Sequence, residues 1–127
     1  MLSISLLEEA LFRSDGVGPS IDVTTHQGKL LVLTLGITHI FEHEYLEVSI
    51  MGSPDGKNWG TASLVKFPRK SYCGMYSTLL NLSASPQVCY VRVQWKMSYW
   101  KKIKASFMCA FYLTAEESGS RVRTAFA

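Results

Sequence analysis

Over most of the chain, apolar and polar residues alternate with a period of two. In 29–35, Leu31, Leu33 and Leu35 share one face; in 45–50, Leu46, Val48 and Ile50 point one way and Tyr45, Glu47 and Ser49 the other. The cleanest run is 90–97, where Val91, Val93, Trp95 and Met97 alternate with Tyr90, Arg92, Gln94 and Lys96. A fourth, 106–113, sets Phe107, Cys109, Phe111 and Leu113 against Met108, Ala110 and Tyr112. This is the period of a strand with one face in a core and the other in water. Weaker strands are predicted over 21–25, 62–67 and 76–82. Turns separate them: Ser53-Pro54-Asp55-Gly56, where Pro fixes φ and Gly accepts a positive φ, and Ser83-Ala84-Ser85-Pro86. The N-terminus reads differently. Ser5 and Glu8 have capping-box spacing, Leu7, Ala10 and Leu11 fall on one helical face, and Ser14-Asp15-Gly16 ends the run. Residues 1–15 are therefore expected to form a short amphipathic helix, too short to stand alone and laid over an edge or end of the sheets.

These elements predict an all-β protein: an antiparallel β-sandwich, jelly-roll or discoidin-like, of about seven or eight strands over 16–117, with a loose polar tail at 118–127. At 127 residues there is material for one domain. With 47% apolar and 18% charged residues the chain can build a core and is too weakly charged to stay disordered. No apolar run approaches the ~20 residues of a membrane-spanning helix; the longest, 30–37, is interrupted by Thr34 and Gly36. The first residues lack a basic segment and a cleavage site for export, so a cytoplasmic location is expected, with peripheral membrane attachment as its variant.

Charge is unevenly spread. Residues 1–56 carry eight acids against Arg13 and Lys29, whereas 57–115 carry nine bases and no acid. Such asymmetry marks an anionic partner or, in a sheet protein, two halves that neutralise each other when their strands interleave. The overall pI of about 8.8 falls short of a dedicated nucleic-acid binder, and nucleic acid is not the expected partner.

The chain offers little catalytic chemistry. Paired-carboxylate catalysis needs two converging acids, and none lies between Gly56 and Ala115. His39 and His43, with Glu42, Glu44 and Glu47, have metal-ligand composition, but on a strand the two histidines stand about 13 Å apart, and no third and fourth ligands are evident. Cys73, Cys89 and Cys109 show no CxxC spacing. Cys109, between Phe107 and Phe111, reads as a small core residue; Cys73 and Cys89 could bridge in an oxidising compartment, and with no export signal in view the expected state is free thiols. No catalytic residue, metal or cofactor is expected, and the chain reads as a non-enzyme.

The strongest candidate surface is the connection after the cleanest strand, where Lys96, Lys101, Lys102 and Lys104 interleave with Tyr99, Trp100 and Ile103. Cationic and amphipathic side chains together suit an acidic protein partner or anionic lipid headgroups. They equally suit a plain hairpin whose lysines keep it solvated.

At Gly52-Ser53-Pro54-Asp55-Gly56-Lys57-Asn58-Trp59-Gly60 the chain resembles a family of small bacterial β-sandwich proteins, the likeness running from about Gly16 to Glu117. It includes Val17-Gly18-Pro19-Ser20-Ile21-Asp22, Tyr72-Cys73-Gly74, Tyr90-Val91-Arg92-Val93-Gln94-Trp95-Lys96 and Ala115-Glu116-Glu117. Similar motifs occur in discoidin-like and phage-associated sandwiches, which bind or assemble and do not catalyse. The family's Arg-Trp-Gly-Arg-Gly-like turn is replaced here by Tyr99-Trp100-Lys101-Lys102-Ile103, which implies a different contact at that tip. The resemblance implies a non-catalytic structural or interaction subunit that meets other protein subunits of a larger complex. An accessory subunit of a bacterial photosynthetic reaction-centre–antenna complex is one conceivable host, although no motif points to it. The alternative is a small ligand-binding module, with carbohydrate the usual ligand of discoidin-like sandwiches. A binding module leaves aromatics on loop tips beside a concave polar site; a structural subunit leaves an apolar patch.

Overall fold

The computed structural model describes residues 3–42, 44–99 and 108–118, Tyr99 through its backbone alone. Two antiparallel sheets face each other. The first orders its strands β1 (Ser3–Phe12), β9 (Cys109–Glu117), β4 (Leu30–Ile40) and β7 (Gly74–Asn81). In the second, β2 (Gly16–Val17) and β3 (Ile21–Asp22) both pair with β8 (Tyr90–Tyr99), which is followed by β5 (Glu44–Ser53) and β6 (Val65–Lys66). With β2 and β3 taken as two pieces of one interrupted strand, the order is that of a jelly roll, in which the chain repeatedly crosses from sheet to sheet. The only helical residues among those described are two 3-10 turns, Thr24–His26 and Leu82–Ala84.

The alternation read from the sequence is the alternation that fills the core. Leu31, Leu33, Leu35 and Ile37 of β4 face Leu46, Val48 and Ile50 of β5 across the sandwich, with Val91, Val93, Trp95 and Met97 of β8 and Cys109, Phe111, Leu113 and Ala115 of β9. All are buried. At one point the two sheets are joined by aromatic rings. Trp95 from the second sheet lies 4.6 Å from Phe12 and 5.6 Å edge-on from Phe111 of the first, and Phe12 and Phe111 are 4.8 Å apart. Pairs at these separations add to plain area burial. The indole N–H of Trp95 is not stranded in the core: it donates to the Ser14 carbonyl at 2.9 Å. Gly16 makes this fit possible, since a Cβ there would come within 2.7 Å of the Trp95 ring.

The expected N-terminal helix is not formed; residues 3–12 are strand β1. Two single-residue bulges interrupt its pairing with β9, one between Ser5 and Leu7 and one between Leu7 and Ala10. Each bulge shifts the side-chain alternation by one, so Leu6 and Leu7 are both buried and the apolar spacing imitates a helix. Pairing with β9 along its length outweighs the local capping-box signal. Among the described residues there are nine strands, where about seven or eight were expected, because β1 and the short β2 add to the seven read from the alternation. The weaker strands are shifted: 62–67 shrinks to Val65–Lys66 and 76–82 begins at Gly74. At the other end, Ser118 belongs to the sandwich and not to the tail. It is buried, and both its N–H and its hydroxyl donate to the Leu30 carbonyl, at 3.0 and 3.2 Å. Phe107 and tail residues 119–127 lie outside the described residues.

Truncating the ring that joins the sheets is expected to be costly: Trp95→Ala should lower stability by about 3–5 kcal/mol. Urea denaturation followed by far-UV circular dichroism measures it, and an unshifted midpoint would contradict the placement of Trp95.

Candidate interaction surface

At one end of the sandwich the β4–β5 turn, the crossing segment 67–73 and the points where the chain leaves β8 and enters β9 come together. Register places them there: Glu44, first residue of β5, lies opposite Tyr99, last of β8, and Ile40 lies opposite Cys109. The alternation of β5 turns Glu44 inward with Leu46 and Val48, and its carboxylate is fully buried. It accepts the Phe41 N–H on one oxygen at 3.4 Å and the Met108 N–H on the other at 2.9 Å. One side chain thus ties the β4–β5 turn to the start of β9. Burial pushes the Glu44 carboxyl above its ordinary value, while the two backbone N–H groups and nearby His39 pull it down. Neighbouring Cys109 is pushed up to about 12, first by burial and then by the Glu44 and Cys73 charges. It is an inert thiol packed in the core.

Around this anchor, aromatic side chains face water. Tyr72 is 77% exposed and Phe41 37%; with Ile40, Glu42, Tyr45, Ser71 and Cys73 they line a recess of about 390 Å³. The backbone beneath is held: the Tyr76 hydroxyl donates to the Tyr72 carbonyl at 2.7 Å, and Lys70, which pairs with Leu46 in an isolated bridge, lies 4.3 Å over the Tyr76 ring. In the sequence Tyr72 stands out only within the motif Tyr72-Cys73-Gly74, and Phe41 carries no signal of its own between His39 and His43. Their exposure follows from a turn and a crossing segment meeting in space, which no periodicity reports.

Of the residues singled out from sequence, Trp100, Lys101, Lys102, Ile103 and Lys104 lie outside the described residues, as does the side chain of Tyr99. The chain leaves the sheets at Tyr99 and returns at Met108, both at this end. Lys96 is separate from it. It points outward from mid-β8, opposite Glu47 on β5, and lines a second, polar groove of about 410 Å³ with Ser49, Lys66 and Gln94. Its one aromatic lining residue is Trp95, buried in the core; elsewhere on the surface Arg92 lies 4.5 Å over Trp59, and Arg69 lies 5.1 Å over Tyr45 while reaching Glu47 at 3.7 Å.

The Ser-Pro-Asp-Gly motif is structural. Asp55 accepts the N–H groups of Lys57 and Asn58, at 2.8 and 2.9 Å, and Ser53 accepts that of Gly56 at 2.9 Å. Those two N–H bonds, with the Ser53 hydroxyl, hold the Asp55 carboxyl far below the usual range. The turn so built carries Trp59 onto Arg92. The histidine–carboxylate run is divided by the strands: Glu44 faces the core and Glu47 the outer surface, while exposed His39 packs edge-on against Phe41 at 5.9 Å. His43 lies outside the described residues, among which no three His, Cys, Asp or Glu side chains converge as a metal site would require. All three cysteines are free thiols.

The fold is similar to that of chains from infectious bursal disease virus. The Gx strain structure matches with a TM-score of 0.53 and 9% identity, covering 90% of this chain and 32% of the viral one. The VP2 subviral particle matches with a TM-score of 0.51 and 9% identity, covering 90% and 31%. This chain therefore spans about a third of the length of the viral chains. At such identity the likeness shows the β-sandwich fold and nothing finer. The K3 cleaved adhesin domain of Lys-gingipain from Porphyromonas gingivalis aligns at a TM-score of 0.48 with 11% identity, covering 90% of this chain and 71% of that domain, and carries no argument. No protein-family model and no curated protein matches the chain.

Two outcomes are expected at Glu44. Glu44→Ala strands two backbone donors and should cost about 1–3 kcal/mol. In addition, the folded chain takes up a proton on Glu44 at higher pH than the unfolded chain, so this group's contribution to stability falls as pH rises through its folded pKa. Relative to Glu44→Gln, the wild type should gain stability as pH drops from neutrality, and stop gaining below the ordinary carboxylate range near ~4.3. Urea midpoints across a pH series measure both; a pH-independent difference between the two proteins would contradict the second.

Proposed function

We propose that this chain is a non-catalytic structural and interaction module of a larger protein assembly. It would meet its partner with the end of the sandwich that carries Phe41, Tyr72 and the connection from Tyr99 to Met108. The supporting observation is the exposed pair of aromatic rings around a recess, on backbone tied down by Glu44 and by the Tyr76 hydroxyl. Exposed aromatics on a rigid base lose little entropy on docking and are the side chains that dominate interface energies. Lys101, Lys102 and Lys104 lie in the same connection by sequence, and suit a partner with an acidic rim, protein or anionic membrane surface. A similar fold occurs in a chain of a viral particle, which is itself an assembly.

The polar groove beside Lys96 supports a second reading, a small module for a polar ligand such as a carbohydrate. Sugar sites present open aromatic faces, and here the aromatic residue that lines the groove is Trp95, whose ring is buried in the core. That favours the assembly reading.

The test is recovery of the native complex from source cells with variant chains. Tyr72→Ser and Trp100→Ala should each weaken association by about 2 kcal/mol or more, roughly thirtyfold, at every salt concentration. Changing Lys101, Lys102 and Lys104 together to Ser should weaken it at low salt only. Folded variants that bind as tightly as wild type would exclude this end as the contact.

A further inference from the structure

A sheet edge exposes a row of unpaired backbone N–H and C=O groups, and proteins usually guard it. Three of the four edges here are guarded. β1 carries two bulges and the exposed Glu8 and Glu9. In the second sheet, β6 is two residues long, and the opposite edge is split into β2 and β3, also two residues each. β7 is the exception. Its eight residues keep an unbroken register with β4, from Ile37 opposite Gly74 to Leu30 opposite Asn81, and no described strand lies on its other side. Gly74-Met75-Tyr76-Ser77-Thr78-Leu79-Leu80-Asn81 contains no charged residue and no proline. Tyr76 and Leu80 face inward, while on the outer face Met75 is 72% and Leu79 55% exposed, with Ser77 between them.

We infer that β7 is the docking edge for a second copy of this chain: two β7 strands pair antiparallel about a two-fold axis at Ser77, joining two four-stranded sheets into one of eight. The free backbone groups require an extended strand as the occupant. The side chains select a copy of β7 itself. Pairing about Ser77 sets Met75 of each copy against Leu79 of the other, giving two apolar cross-strand pairs flanking a serine pair. A register about Thr78 would instead set Met75 against Asn81 and Leu79 against Ser77. Self-pairing also places any charge near the axis close to its own kind, which is destabilising, and β7 carries none. This inference does not rest on the end surface of the proposed function, because it concerns association of the purified chain with itself.

Sedimentation velocity of the purified full chain over a concentration series is expected to show a species of twice the 14.2 kDa monomer. Ser77→Lys and Ser77→Glu, each at an exposed outer-face position, should separately weaken self-association at least tenfold. Mixing the two variants should restore it as a heterodimer. Independently of any variant, a mixture of isotope-labelled and unlabelled wild type should show a nuclear Overhauser contact between Met75 of one copy and Leu79 of the other. A wild type monomeric at all concentrations would overturn the proposal. So would a dimer without the Met75–Leu79 contact, and so would one that folded Ser77→Lys leaves equally tight.

Discussion

Two sheets close into one core only if side chains from both are large enough to meet, and here aromatic rings from both sheets meet in the cluster of Phe12, Phe111 and Trp95. Much else follows from it. Trp95 fills the space that Gly16 leaves open and holds the chain at Ser14 through its indole N–H. One residue further on, the Asp15 carboxylate accepts the Met97 N–H at 2.7 Å. The segment leaving β1 is thereby fixed against β8, so the first strand of one sheet hands over to the first of the other. Because Phe12 ends β1, the N-terminal segment is part of the core and not a cover laid over it.

With the core placed, the polar groups have few places to go. Side chains of one parity along β4, β5, β8 and β9 are buried, so charge is confined to the outer faces and the ends. The acidic first half and basic second half meet there: Glu47 of β5 faces Lys96 of β8 and reaches Arg69. The charge asymmetry of the sequence is at least partly an asymmetry of strands that interleave. Glu44 is the exception, a carboxylate on the inward parity of β5, satisfied by backbone donors of the turn and of the β9 entry.

How much of this was legible depended on how strictly a segment obeyed one period. β4, β5, β8 and β9 each pair on both sides and bury one face, so over 31–35, 45–50, 90–97 and 109–113 their alternation could be read directly; it breaks only beyond those stretches, as at the β4 irregularity between Ile37 and His39. β1 could not, because two bulges shift its parity and leave Leu7, Ala10 and Leu11 at helical spacing. β2 and β3 are too short to show any period. The Ser-Pro-Asp-Gly turn was legible as a turn, since the conformational preferences that mark it in sequence are the ones that build it. The exposed end was only half legible. A basic aromatic connection stands out in the sequence, but Tyr72 and Phe41 belong to segments far apart in the chain and become neighbours only through the jelly-roll crossing.

A core closed in this way requires β1 to be an integral strand locked by the Phe12–Trp95–Phe111 contact. Native-state hydrogen exchange, resolved by residue, tests this most directly. Amides of β1 paired with β9 should exchange through the same high-energy opening as those of β8 and β9, with protection rising together as denaturant is removed. Exchange of residues 4–12 at rates near those of an unstructured peptide, with β8 and β9 still protected, would contradict it.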